Sequence, residues 1–96
     1  MPRQEIIETL RAHQSKLREQ GVKSLALFGS VARNESHPDS GVDLLVEFDG
    51  PVGMFHFLRV RRYLSQLLQR KIDLVTRPAL REEMREDILR EAVDVT

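Results

Sequence analysis

Leu25-Ala26-Leu27-Phe28-Gly29-Ser30-Val31-Ala32-Arg33, followed after a polar gap by Gly41-Val42-Asp43-Leu44-Leu45-Val46, is the stretch of this 96-residue chain that decides its fold. A short continuous apolar run closed by glycine reads as a buried strand, and Leu25 to Phe28 fits that description. Gly29-Ser30 then forms a turn in which backbone N–H groups and a hydroxyl can approach phosphate oxygens, because glycine has no Cβ to hold a ligand away. Ser30 to Arg33 opens a brief helical turn, and residues 34 to 41, crowded with Asn, Ser, Pro, Asp and Gly, are loop chemistry. Val42 to Phe48 is the second strand, and Asp43 near its start is placed to hold a hard cation against those phosphates.

Outward from this stretch the pattern is helical on both sides. Ile6, Ile7, Leu10 and Leu17 recur near helical spacing between Pro2 and Gln20, with Gly21 as a stop signal, which predicts one amphipathic helix. After the Asp49-Gly50-Pro51 turn, Met54, Phe57, Leu58, Leu64, Leu67 and Leu68 give the inward face of a second helix ending near Gln69. Its outward face carries Arg59, Arg61, Arg62 and Arg70 with no acidic residue interleaved. Lys71 to Thr76 is a third strand ended by Pro78. A third helix follows from Leu80 to Ala92, with Leu80, Met84, Ile88 and Leu89 inward, and residues 93–96 add a short edge strand. Helix, strand, strand, helix, strand, helix is an α+β order, a two-layer domain in which helices cover a small mixed sheet, and the whole of residues 1–96 is read as one domain.

Fifteen basic and fifteen acidic residues balance, which argues against a general nucleic-acid grip, and the chain has no cysteine for a disulfide or thiolate metal site. No apolar run approaches the roughly 18 residues of a membrane span, so a cytoplasmic protein without a membrane partner is expected. His13, His37 and His56 lack metal-site spacing.

Residues two apart on a strand share a face, so positions 41 and 43 project together, away from Val42 and Leu44. Asp73 lies within an apolar strand, where an ionised carboxylate is costly unless it is paired or binds a cation, and plain solvent exposure is not expected for it. Leu27-Phe28-Gly29-Ser30, Ala32-Arg33, Asp43-Leu44-Leu45-Val46, Lys71-Ile72-Asp73-Leu74-Val75 and Ile88-Leu89-Arg90-Glu91-Ala92-Val93 together resemble the minimal nucleotidyltransferases of the DNA-polymerase-β-like superfamily. The resemblance covers nearly the whole chain and departs from the family at two places. Asn34 stands where a glycine is common, a mild change, and Gly41 stands where the first Asp of an Asp-x-Asp pair belongs.

The resemblance implies transfer of AMP from ATP to an acceptor hydroxyl with two Mg²⁺ ions. Carried onto this chain, it makes Gly29 and Ser30 the triphosphate turn, Asp43 a catalytic metal ligand, and Asp73 a metal ligand or general base. Arg33 is either a phosphate contact or a charge that closes the loop onto neighbouring carboxylates. With Gly41 in the third ligand position, either turnover is impaired or another residue, such as Asp39, supplies the charge. The partner implied is a HEPN-type ribonuclease toxin whose tyrosine hydroxyl accepts AMP, the present chain being its antitoxin, in a homo- or hetero-oligomer. A degenerate member that neutralises its toxin by binding alone is the second reading.

Overall fold

The chain is described by a computed structural model covering residues 2–35 and 41–95. The expected first helix is two: α1 (Arg3–Ala12) and α2 (Gln14–Glu19) meet at His13, where the helical ladder is interrupted. The imidazole Nδ1 lies 2.9 Å from the Thr9 carbonyl, and the His13 N–H donates to Leu10 instead of continuing the regular pattern. This kink costs the core nothing, since Ile6, Leu10 and Leu17 are all fully buried. Gly21, with φ +84°, then turns the chain into β1 (Val22–Phe28).

A four-residue helix α3 (Gly29–Ala32) follows, and β2 (Val42–Phe48) runs back antiparallel to β1 with Phe28 opposite Asp43. An irregularity between Val22 and Ser24 shifts the alternation by one, so that Val22, Leu25 and Leu27 all enter the same core. Helix α4 (Met54–Leu68) is stopped by Gln69 in the left-handed conformation, φ +55°, and β3 (Ile72–Thr76) pairs parallel to β2. A 3₁₀ turn (Arg77–Ala79) accommodates Pro78, and α5 (Glu82–Glu91) and β4 (Val93–Asp94) complete the described chain. The sheet order is β3-β2-β1-β4. The fold is therefore the α+β arrangement, a small mixed sheet with helices, that the sequence predicts.

One face of the sheet carries the main core, in which Val42, Leu44, Val46, Ile72 and Leu74 meet α1, α2 and α4. The other face holds a small cluster of Ala26, Phe28, Leu45, Leu80 and Ile88. Three expected inward residues are exposed instead: Met54, Met84 and Leu89. Helix α4 seats itself by Val60, Leu64 and Leu68, leaving its first residue, Met54, clear of the core. Helix α5 reaches the small cluster through Ile88, joined by Ala92 just past its end, so Met84, a turn earlier, extends beyond it and Leu89 points off its axis. No helix among the described residues is long and apolar enough to cross a membrane.

Candidate functional site

Because β1 is antiparallel to β2 and β2 is parallel to β3, the end of β1 and the starts of β2 and β3 lie at one end of the sheet. Asp43 and Asp73 are direct register partners there, on the face of the small apolar cluster. Position 41 joins them: a Cβ built on Gly41 would stand 3.1 Å from Asp73 Oδ2 and 3.5 Å from the Lys71 carbonyl. The β2–β3 register thus brings 73 to 43, and position 41, expected by parity to project with 43, lies beside 73 as well. Asp73 is exposed, contrary to expectation, because β3 is an edge strand and its first residues face the open end of the sheet.

Gly29 closes the other side. Its φ is +74°, and a Cβ there would collide with Asp43 Oδ2, so both backbone conformation and close approach exclude a side chain. The turn and the carboxylate are therefore in van der Waals contact. Val31 and Ala32 anchor α3 in the main core, Ser30 is half-buried, and its carbonyl accepts from the Glu35 N–H at 2.8 Å. Asn34 has φ +61°, the left-handed backbone that asparagine tolerates.

Arg33 bridges two carboxylates. Its Nε donates to Glu35 at 3.1 Å and an η nitrogen donates to Glu91 Oε1 at 3.1 Å, and these contacts raise its pKa further above the ordinary arginine value. Arg33 thus contacts a carboxylate on either side, Glu35 after α3 and Glu91 on α5. The same Glu91 oxygen accepts the Gly29 N–H at 3.4 Å. A carboxylate from α5 thus occupies one donor of the glycine turn, the Gly29 N–H. On the reading that this turn takes the phosphates of ATP, Glu91→Gln is expected to raise nucleotide affinity about three- to tenfold by removing a negative charge beside the Gly29 N–H, as read by fluorescent-nucleotide titration at low and high salt.

Asp43 is raised from the usual carboxylate range to about 6. Burial is the first cause, the adjacent Asp73 charge the second, and a hydrogen bond that protonated Asp43 donates to Asp73 the third; Arg33 opposes them in part. Since the folded pKa lies above the unfolded one, this carboxyl favours folding fully below pH 3.8, and that contribution is lost as the pH rises through about 6. Asp43→Asn is therefore expected to stabilise the nucleotide-free protein at pH 7.5 by about 1 kcal/mol, a value discounted for solvent screening. Urea unfolding across the pH range checks this, the difference from wild type vanishing near pH 3.5.

Among the described residues the site holds a carboxylate pair, Asp43 with Asp73, and no group of three or more metal-ligating side chains. Asp39, considered as a substitute ligand, and His37 lie outside the described residues. Sequence reasoning missed Glu91 as a site residue, because its link to Gly29 and Arg33 spans about sixty residues and leaves no local signal.

This fold, with strand ends converging on a glycine-serine turn and paired aspartates, is that of a nucleotidyltransferase. The chain belongs to the nucleotidyltransferase domain family, whose family model matches residues 5–95. A relative, the protein adenylyltransferase MntA of Thermococcus cleftensis, is 39% identical over 93 residues, covering 96% of this chain and 94% of its own length. Among solved structures, a candidate minimal nucleotidyltransferase superposes with a TM-score of 0.83 at 33% identity, covering 97% of this chain and 95% of that one. Two toxin–antitoxin complexes share the fold at low identity. One, containing AMP-PNP, has a TM-score of 0.72 at 17% identity over 100% of this chain and 73% of that chain. The other, a tri-AMPylated Shewanella oneidensis HEPN toxin with its MNT antitoxin, has a TM-score of 0.66 at 15% identity over 94% and 71%.

Proposed function

We propose that this chain is a protein adenylyltransferase that transfers AMP from ATP to a tyrosine hydroxyl of a HEPN-type toxin, acting in the cytoplasm as the toxin's antitoxin. The observation that carries the reading is the in-register Asp43–Asp73 pair in contact with the Gly29 turn. The relative from Thermococcus and the two toxin–antitoxin structures support the direction of the reaction and the kind of partner.

Asp43 and Asp73 are the residues that would hold Mg²⁺, and they fit it: two carboxylates face one another, the negative charge of one raising the pKa of the other. Mg²⁺ is commonly held by one or two protein carboxylates completed by substrate phosphates. When bound, it supplies charge neutralisation at the triphosphate. A second ion would be left short of a protein ligand at Gly41.

Gly29 and Ser30 take the triphosphate, displacing Glu91 from the turn, and Arg33 remains beside it. Asp73, at the exposed edge, accepts the proton of the incoming hydroxyl. The hydroxyl oxygen bonds to the α-phosphorus as the α–β bridging bond breaks, and pyrophosphate leaves. One AMP group is gained by the acceptor for each pyrophosphate released. Intact mass of the co-purified partner before and after ATP and Mg²⁺ tests partner, reaction and activity together. A gain of AMP groups is expected, and a stable complex whose partner gains no mass would replace this reading.

That second reading, neutralisation by binding alone, is favoured by one observation: position 41, where the family pattern has the first Asp of its pair, is a glycine.

A further inference from the structure

A groove of about 520 Å³ runs between the flank of α4 and the outer edge of β3. Its walls carry Arg61, Arg62, Lys71 and Asp73, with Ser65 and Gln66 between them. The two arginines and the lysine are exposed, and among the described residues none of the three has an acidic partner. From residue 59 to residue 72 the chain contains no acidic side chain at all. In a protein of zero formal charge, this is a local concentration of cations beside a single carboxylate, and that carboxylate is Asp73.

Strand order fixes what the groove faces. The Gly29 turn ends β1, Asp43 begins β2 next to it, Asp73 begins β3 beyond that, and the groove lies outside β3. A triphosphate seated on Gly29 and Ser30 meets Asp43 and then Asp73, with the groove on the far side of the pair. On the transferase reading, an attacking hydroxyl would approach Asp73 from that far side. Helix α4 is seated by Val60, Leu64 and Leu68, while Arg61 and Arg62 on the same helix are exposed. Ser65 is already committed, its hydroxyl donating to the Arg70 carbonyl at 2.9 Å.

We infer that this groove is the acceptor subsite, and that Arg61, Arg62 and Lys71 select a protein segment in which acidic side chains flank the hydroxyl to be modified. The inference rests on the transferase reading above and adds the charge of the acceptor to it. A peptide is preferred to a nucleic acid because the groove has three cations and no aromatic ring among its lining residues on which a base could stack. Carboxylates at spacing near that of the three cations gain charge-assisted hydrogen bonds, and the electrostatic field speeds the encounter.

The test uses the full chain and does not depend on turnover. Fluorescein-labelled ten-residue peptides with a central tyrosine are titrated by anisotropy in three forms, flanked by glutamate, by serine or by lysine, alongside a ten-nucleotide oligouridylate. The glutamate peptide is expected to bind at least tenfold more tightly than the serine peptide, with no binding of the lysine peptide. Arg61→Glu with Arg62→Glu should remove that preference, and the milder Arg61→Gln with Arg62→Gln, which introduces no new charge, should reduce it about threefold if the reversal variant fails to fold. Equal binding of the glutamate and serine peptides, or a preference that survives both double variants, overturns the inference. Tighter binding of the oligonucleotide through the same arginines assigns the groove to nucleic acid, and an equal loss of ATP affinity assigns it to the nucleotide; either result overturns it too. Peptide selectivity without AMP transfer would leave the subsite standing while the transferase reading fails.

Discussion

Gly41→Asp is expected to raise AMP transfer to the partner by about 100-fold or more, the scale on which a single preorganised charge at a reacting phosphate acts. The local structure admits the side chain. Gly41 is not among the positive-φ glycines, and the nearest obstacle to a Cβ is the carboxylate end of Asp73 at 3.1 Å, which needs to yield only slightly. The new carboxylate would join Asp43 and Asp73 at the sheet end, since the Cβ position of residue 41, just before β2, lies beside Asp73, the register partner of Asp43. Without nucleotide the added charge should lower stability, because a third anion joins two that already repel; with Mg²⁺ and ATP the order should reverse. Gly41→Asn has the same size without the charge and should show neither effect. Labelled-ATP transfer that stays at the wild-type level in Gly41→Asp would mean that position 41 is not the missing ligand.

The second large effect is at Gly29. Gly29→Ala should abolish measurable nucleotide binding and destabilise the protein by about 2 kcal/mol or more, combining a left-handed backbone cost with an overpacking cost. A methyl group there would run into Asp43 Oδ2, so the turn and the carboxylate would be driven apart together. Gly50→Ala is the control, since nothing lies within 4 Å of its Cβ position and its φ is not positive. Thermal melts and nucleotide titration of the two variants side by side decide it. A Gly29→Ala protein that melts and binds like Gly50→Ala would contradict the close packing of the site.

The parts of this site that were legible in the sequence are those governed by local periodicity. The bounds of β2, the glycine turn and the parity of 41 with 43 follow from side-chain alternation and backbone sterics acting over a few residues, whereas Asn34, whose φ is +61°, was singled out only by the family resemblance. What could not be read depends on which neighbours a segment finds. Asp73 is exposed because β3 is at the edge of the sheet, a property of strand order and not of the surrounding Ile72 and Leu74. Met84 and Leu89 are exposed because the second face of the sheet holds only a small apolar cluster, which α5 meets near its C-terminal end. The break at His13 arises from one imidazole contacting a carbonyl four residues back, with neither Gly nor Pro to announce it. Glu91 belongs to the site through contacts to residues about sixty positions away.

The parallel pairing of β2 with β3 has a consequence for how the protein folds. The β1–β2 pair is joined by residues 29–41, α3 included, but β3 can dock only after α4 has carried the chain across, so it closes the longer loop and is expected to be the slower contact to form. A nucleotide that touches both Gly29 and Asp73 bridges these early and late pieces, and it can bind well only to chains in which the crossover is complete. ATP would then act as a folding clamp, raising the apparent stability by mass action and slowing the release of β3. Amide exchange in residues 72–76 would become the most sensitive reporter of ligand occupancy, more so than exchange in the turn that holds the phosphates.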